Sequence, residues 1–415
     1  MAIPATAGGA QPPEAERIWF AQALRAVACL AVVVAHYTAL FALFPGTVAN
    51  LCLCPPLEGL PRPAYLRLYA ALDACHFSLA NFGVALSFLV SGFVIPFSLR
   101  RDGPAGFMVR RFFRLYPTLW LVLLLLLAVL ALNARRYGLT FPFGPRVIAG
   151  NALLVSSYLG QPFIESVCWT LLVEELFYVL CALCAWRRVL DQPAAVLLVA
   201  LAAAGVAVSF SFPWLTAGTP GWHYPVFFLR INATFVVFIF IGVVLHHLYR
   251  GAWRPRLALP MVVALFGLFA LGCRYGVVRY AGGVAPWLGP GLAALVLFAA
   301  LLAVNRWLPY ARWLDRLAAV SYPLYLTHAT LGYIVIRAVY LGSGSLYLGF
   351  AAAFAAALAL SAVLHRFVER PAIDLGRRLA ARLSARAPSL AARPCRRHDG
   401  PRLRRARAVG YAKVP

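Results

Sequence analysis

Between residues 26 and 368 the chain is a succession of about ten apolar runs, most of them long enough to cross a hydrocarbon layer as a helix. They fall near 26–44, 81–99, 115–132, 167–186, 193–212, 225–247, 257–272, 285–304, 317–340 and 346–368. In lipid the backbone must satisfy its own polar groups, and runs of this length do so as helices. Hydrophobic residues make up 63% of the 415 and charged ones only 12%, more apolar surface than a soluble domain of this size can hide. The expectation is an all-α polytopic membrane protein with about ten transmembrane helices. A shorter apolar segment, 145–160, is bounded by Pro145 and Gly160 and reads as a re-entrant or interfacial helix. Around this domain, 17–375, lie a polar N-terminus, 1–16, and an Arg-rich tail, 376–415, both expected to be disordered.

The chain carries a net charge of +25, almost all of its cations being arginine. No basic, aromatic-studded domain lies outside the apolar runs, so nucleic acid is not an expected partner. The bilayer is. Arg100, Arg101, Arg110, Arg111 and Arg114, then Arg187 and Arg188, then Arg250, Arg254 and Arg256, then Arg306, Arg312 and Arg316 fall on one set of loops. By the positive-inside rule both termini are cytoplasmic, against the exceptions Arg62, Arg67, Arg135, Arg136, Arg274 and Arg279. The first run has no small-residue cleavage site after it and reads as a retained helix. No internal repeat is visible, unlike many transporters. Cys181 and Cys184 sit in an apolar helix as packing residues, while a disulfide from Cys75 to Cys52 or Cys54 is an option if that loop is exported.

Within the first run stand Arg25 and His36. Eleven positions on a helix turn through roughly 1100°, about 20° past three turns, and rise about 16 Å. The two side chains therefore share a face, the arginine near one membrane surface and the imidazole near mid-membrane. An ionisable group at that depth is a functional candidate by default. Arg25 also reads as a snorkelling topology marker, and His36 as a hydrogen-bonded packing residue. Arg111 and Arg114 project to one side of a helix start, with Pro117 expected in its first turn. Glu174 and Glu175 point about 100° apart, so one of them faces any cavity. No cluster has metal-ligand spacing.

These residues occur in an ordered set of motifs. After Arg25-x10-His36 comes NFGVALSFLVSGFVI, with Gly83-Val84, Phe88 and Ser91-Gly92-Phe93. Arg111-x-x-Arg114 is followed by Tyr116-Pro117, then Trp169-Thr170-Leu171, Glu174-Glu175 and Phe177-Tyr178. SYPLYLTH, Ser321 to His328, and Phe367-Val368-Glu369-Arg370-Pro371 close the set. The chain from Arg17 to Arg378 thus resembles the acyltransferase-3 family of integral membrane O-acyltransferases. It departs from the family around Arg25, where Ala-Gln-Ala-Leu-Arg25-Ala replaces the usual Asp-Gly, and at Ser87, where a second aromatic is common.

The resemblance implies transfer of an acyl group, acetyl by expectation, from acyl-CoA to a hydroxyl of a saccharide or glycosylated acceptor at a bacterial inner membrane. It makes His36 the base or acyl relay, with Glu174 beside it as the second catalytic residue. Arg25, Arg111 and Arg114 would hold the donor's phosphates, and Ser91, Trp169, Tyr178 and His328 would line the substrate site. Acyl-CoA is then a co-substrate and no tightly bound cofactor is expected. Self-association is left open. A transporter or flippase of a lipid-linked sugar, acting without covalent chemistry, is the competing class, and a membrane sensor working through the Arg-rich tail is a third.

Overall fold

The computed structural model describes residues 19–186, 189–209, 223–276 and 285–386. The expected disorder of 1–16, most of the tail, Arg187, Arg188 and the turns at Pro213-Trp214 and Gly221-Trp222 lie outside them. The helices are α1 (Trp19–Ala35), α2 (Phe41–Leu43), α3 (Pro45–Cys52), α4 (Leu66–Ala74), α5 (Leu79–Arg136), α6 (Pro145–Ala152), α7 (Trp169–Trp186) and α8 (Pro193–Val208). They continue with α9 (His223–Tyr249), α10 (Pro255–Tyr275), α11 (Ala285–Ala303), α12 (Arg312–Thr327), α13 (Thr330–Ser343), α14 (Leu346–Leu364) and α15 (Arg370–Arg386). The protein is an all-α polytopic membrane protein. Among the described residues, seven helices are long and apolar enough to cross a membrane, or up to eight if the bent pair α12–α13 is one span.

The difference from about ten spans has local causes. Two expected spans, 81–99 and 115–132, are arms of the 58-residue α5, which at roughly 87 Å is far longer than a bilayer is thick. The arms meet at Gly103, whose φ of 65° lies in the left-handed region that only glycine enters freely. Asp102 beside it is buried between Arg101 and Arg110, at 3.1 and 3.0 Å. The second arm starts there, so Pro117 lies inside it rather than in a first turn. The expected span at 193–212 is the short α8, and that at 317–340 bends by 77° between α12 and α13. The 145–160 segment forms only α6 and one 3-10 turn, Ser157–Leu159.

α9 is central, and every residue from 232 to 247 is buried. A helix that is apolar all round needs protein on every side, and α5, α7, α8 and α10 supply it. Gly92 of α5 and Gly242 of α9 mark the closest crossing: a Cβ on Gly92 would strike the Ile239 carbonyl oxygen, and one on Gly242 the Leu89 carbonyl oxygen. α1 packs against α5 and α12, which places the Arg25–His36 helix between the element that carries Ser91, Arg111 and Arg114 and the one that leads into His328. α15 lies along α5 and continues α14 through a π-helical turn, His365–Glu369. Glu369 therefore sits within a continuing helix, bonded to His365 at 2.7 Å. Helix also persists through Arg386, past the start of the tail expected to be disordered. Cys75 is exposed and free, and Cys52 and Cys54 are buried and free, so the disulfide is not formed.

Candidate active site

A cavity of about 110 Å³ opens between α1, α5, α7 and α12. Arg25, Arg111, Arg114, Glu174, Ser91 and Tyr178 all line it. Residues from four helices thus converge because α1 and the two arms of α5 wrap one space. Ser91 donates to Glu174 Oε1 at 2.6 Å, and Tyr178 donates to Oε2 at 2.7 Å, so both carboxylate oxygens are held. Arg111 lies 5.2 Å above the rings of both Phe107 and Tyr178 and donates to Ser98 at 3.0 Å. Arg25 donates to Gln22 at 3.3 Å, the partner that its Ala-Gln-Ala-Leu setting supplies. Three guanidiniums against one carboxylate leave the cavity strongly cationic, and Arg25, Arg111 and Arg114 each act on the others through space. Such a lining suits phosphate oxygens. Glu175, by contrast, turns away and accepts from Tyr116.

His36 and His328 are not among the residues lining this cavity. They sit beyond it, bonded to each other: His36 Nδ1 and His328 Nε2 are 3.1 Å apart. His36 opens a π-helical turn, His36–Leu40, and His328 is buried at the break between α12 and α13. The network assigns the protons. His328 Nδ1 faces two carbonyl oxygens, Leu324 at 3.2 Å and Tyr325 at 2.8 Å, and so must be the donor. In neutral His328 the Nε2 lone pair then accepts from His36 Nδ1–H. His36 Nε2 is left with a free lone pair, the form a base or nucleophile needs. Tyr325 joins the two regions, lining the cavity while its carbonyl holds His328.

Trp169 lies in an aromatic cluster, its ring 5.2 Å from Phe235, 5.8 Å from Trp287 and 6.4 Å from Phe88, while its neighbours Thr170 and Leu171 line the cavity. Cys29, Tyr322 and Tyr325, which were not among the expected site residues, also line it, as does Ser87, noted in the sequence only as a departure from the family pattern. Tyr322 and Tyr325 carried a signal, since with His328 they recur every three residues along SYPLYLTH.

Residues 18–366 match a protein family described as an acyltransferase domain. The chain is also similar to Acyltransferase MdmB of Streptomyces mycarofaciens, with 30% identity over 392 residues, covering 78% of this chain and 94% of that protein. No solved structure matches it.

Proposed function

The chain belongs to the acyltransferase-3 family of integral membrane proteins, and from that premise we propose that it transfers an acetyl group from acetyl-CoA to a hydroxyl of a saccharide or glycosylated acceptor. The observation that carries this reading is the juxtaposition of a cationic cavity with a histidine pair whose free nitrogen is assigned by its partners. Arg25, Arg111 and Arg114 hold the phosphate-bearing donor, with Glu174 fixed by Ser91 and Tyr178 among them.

In the reaction the acceptor O–H gives its proton to His36 Nε2 and its oxygen attacks the thioester carbonyl carbon. The C–S bond breaks, and the proton passes to the departing thiolate. An acyl group carried on the same Nε2 is the stepwise variant of this chemistry. The Arg-rich ends face the cytoplasm of a bacterial inner membrane, with both termini inside, so that the donor enters from the side where CoA thioesters are made. Transport without chemistry, the competing reading, has no use for the assigned tautomer.

The test is free-thiol release from acetyl-CoA by the purified protein in nanodiscs, with and without candidate glycan acceptors. Release above background should fall by about 10²-fold or more in His36→Ala. No release and no saturable acetyl-CoA binding by folded protein would remove the acyltransfer reading in favour of transport.

A further inference from the structure

The segment 165–170 grips the helix break at His328 from both sides. On the α12 side, Tyr325 Oη is 3.2 Å from the Val167 carbonyl oxygen and 2.9 Å from Thr170 Oγ1. On the α13 side, the Thr330 N–H donates to Glu165 Oε2 at 3.3 Å. His328 stands between these two anchors, and Ala329, with ψ of −93°, is where the helix is interrupted. In this arrangement Nε2 of His328 meets Nδ1 of His36.

Glu165 is an expensive residue to place there. It is 1% exposed, on extended backbone (φ −115°, ψ 114°) just before the turn that leads into α7. Burial pushes its carboxyl up to about 7. Tyr37, Tyr333, Cys52 and Cys168 are the titratable groups that face it, from the π-helical turn, α13, α3 and the Ser166–Cys168 turn. A buried carboxyl is costly unless its hydrogen bonds repay it. Its carboxyl is held by the Thr330 hydroxyl and by the N–H groups of Ser166 and Val167 as well as by the Thr330 N–H, the first N–H of α13 and a donor that no residue of that helix can satisfy.

Building on the acyltransfer reading above, we propose that Glu165 is a positioning residue for the His36–His328 pair: its carboxyl oxygen holds the Thr330 N–H and so fixes the break that aims His328 at His36. The role needs an acceptor of the right length rather than a charge. Glu165→Gln keeps the carbonyl oxygen at the same reach, whereas Glu165→Asp keeps the charge and withdraws it by about one C–C bond, 1.5 Å.

The experiment uses the full chain in nanodiscs with ¹⁵N-labelled histidine, the two rings being assigned from His36→Ala and His328→Ala spectra. The ring-nitrogen shifts report whether His36 carries its proton on Nδ1, and thiol release gives kcat and KM for acetyl-CoA. E165Q should keep the wild-type ring pattern and a kcat within about threefold of wild type. E165D should lose the pattern and drop kcat by roughly tenfold to 10²-fold with KM unchanged, as a misplacement of about 1 Å does. Aspartate outperforming glutamine, or both keeping the ring pattern, would overturn the proposal. If E165D does not fold, E165Q decides alone, since a disturbed pattern in it overturns the proposal and a wild-type pattern supports it. If the wild-type protein releases no thiol, the acyltransfer reading fails, and the ring pattern still decides whether Glu165 positions the pair.

Discussion

At the scale of single residues, the proposed acyl transfer turns on which nitrogen of His36 is free, and the bonds of His328 assign it. A neutral imidazole has one donor and one acceptor nitrogen, and a partner that accepts at Nδ1 commits the lone pair to Nε2. His328→Phe keeps an aromatic ring in the buried site and removes the acceptor. We expect kcat for thiol release to fall by about 10²-fold with KM for acetyl-CoA unchanged, because the arginine-lined cavity is untouched. A fall in donor affinity instead would place His328 at the donor site. The helical register of Arg25 and His36 is legible in the chain because it depends only on local geometry. The His36–His328 bond is not, since it joins residues 292 positions apart. The Ser91–Glu174 bond, across 83 positions, is equally hidden. Glu165 leaves no local trace, for a single acidic residue before an apolar run looks like a solvated loop.

At the scale of elements, the α5–α9 crossing sets how close the cavity walls stand. Ser91 lies next to Gly92, so the crossing that seats Gly92 on α9 also presents Ser91 to Glu174. Gly242→Val would drive a side chain into the backbone of α5, a clash that neither helix can relieve by turning a rotamer. Overpacking of this kind costs about 1–3 kcal/mol or more. The variant should unfold at clearly lower temperature in detergent than Gly267→Val, whose glycine on α10 has open space around it. Equal melting temperatures would show that the crossing tolerates separation. Most apolar runs announce their helices, because a run of span length has few other ways to satisfy its backbone in lipid. The Gly103 bend is less legible, since glycine permits a left-handed φ without requiring it, and tertiary packing chooses. The same holds for the break at Ala329 and the π-helical turn at His36, which no residue preference specifies.

At the scale of the whole molecule, most of the arginines gather on one set of loops along the sequence, and the proposed orientation follows from that bias. Cys75 is exposed in the stretch between α4 and α5, at the end of α5 opposite the Arg-rich Gly103 bend. A membrane-impermeant maleimide added to intact spheroplasts should label it, and Cys75→Ala should abolish that label. Labelling only after the membrane is opened would invert the topology. From its sequence alone this protein is a helical membrane protein with an Arg–His helix, an arginine pair and a carboxylate motif, because hydropathy and helical spacing are properties of short stretches. Tertiary structure alone decided that Arg25, Arg111 and Arg114 share a cavity with Glu174, that His36 meets His328, and that Glu165 holds the break beside them. Those contacts depend on how helices cross, and the crossings are chosen by packing between residues far apart in the chain.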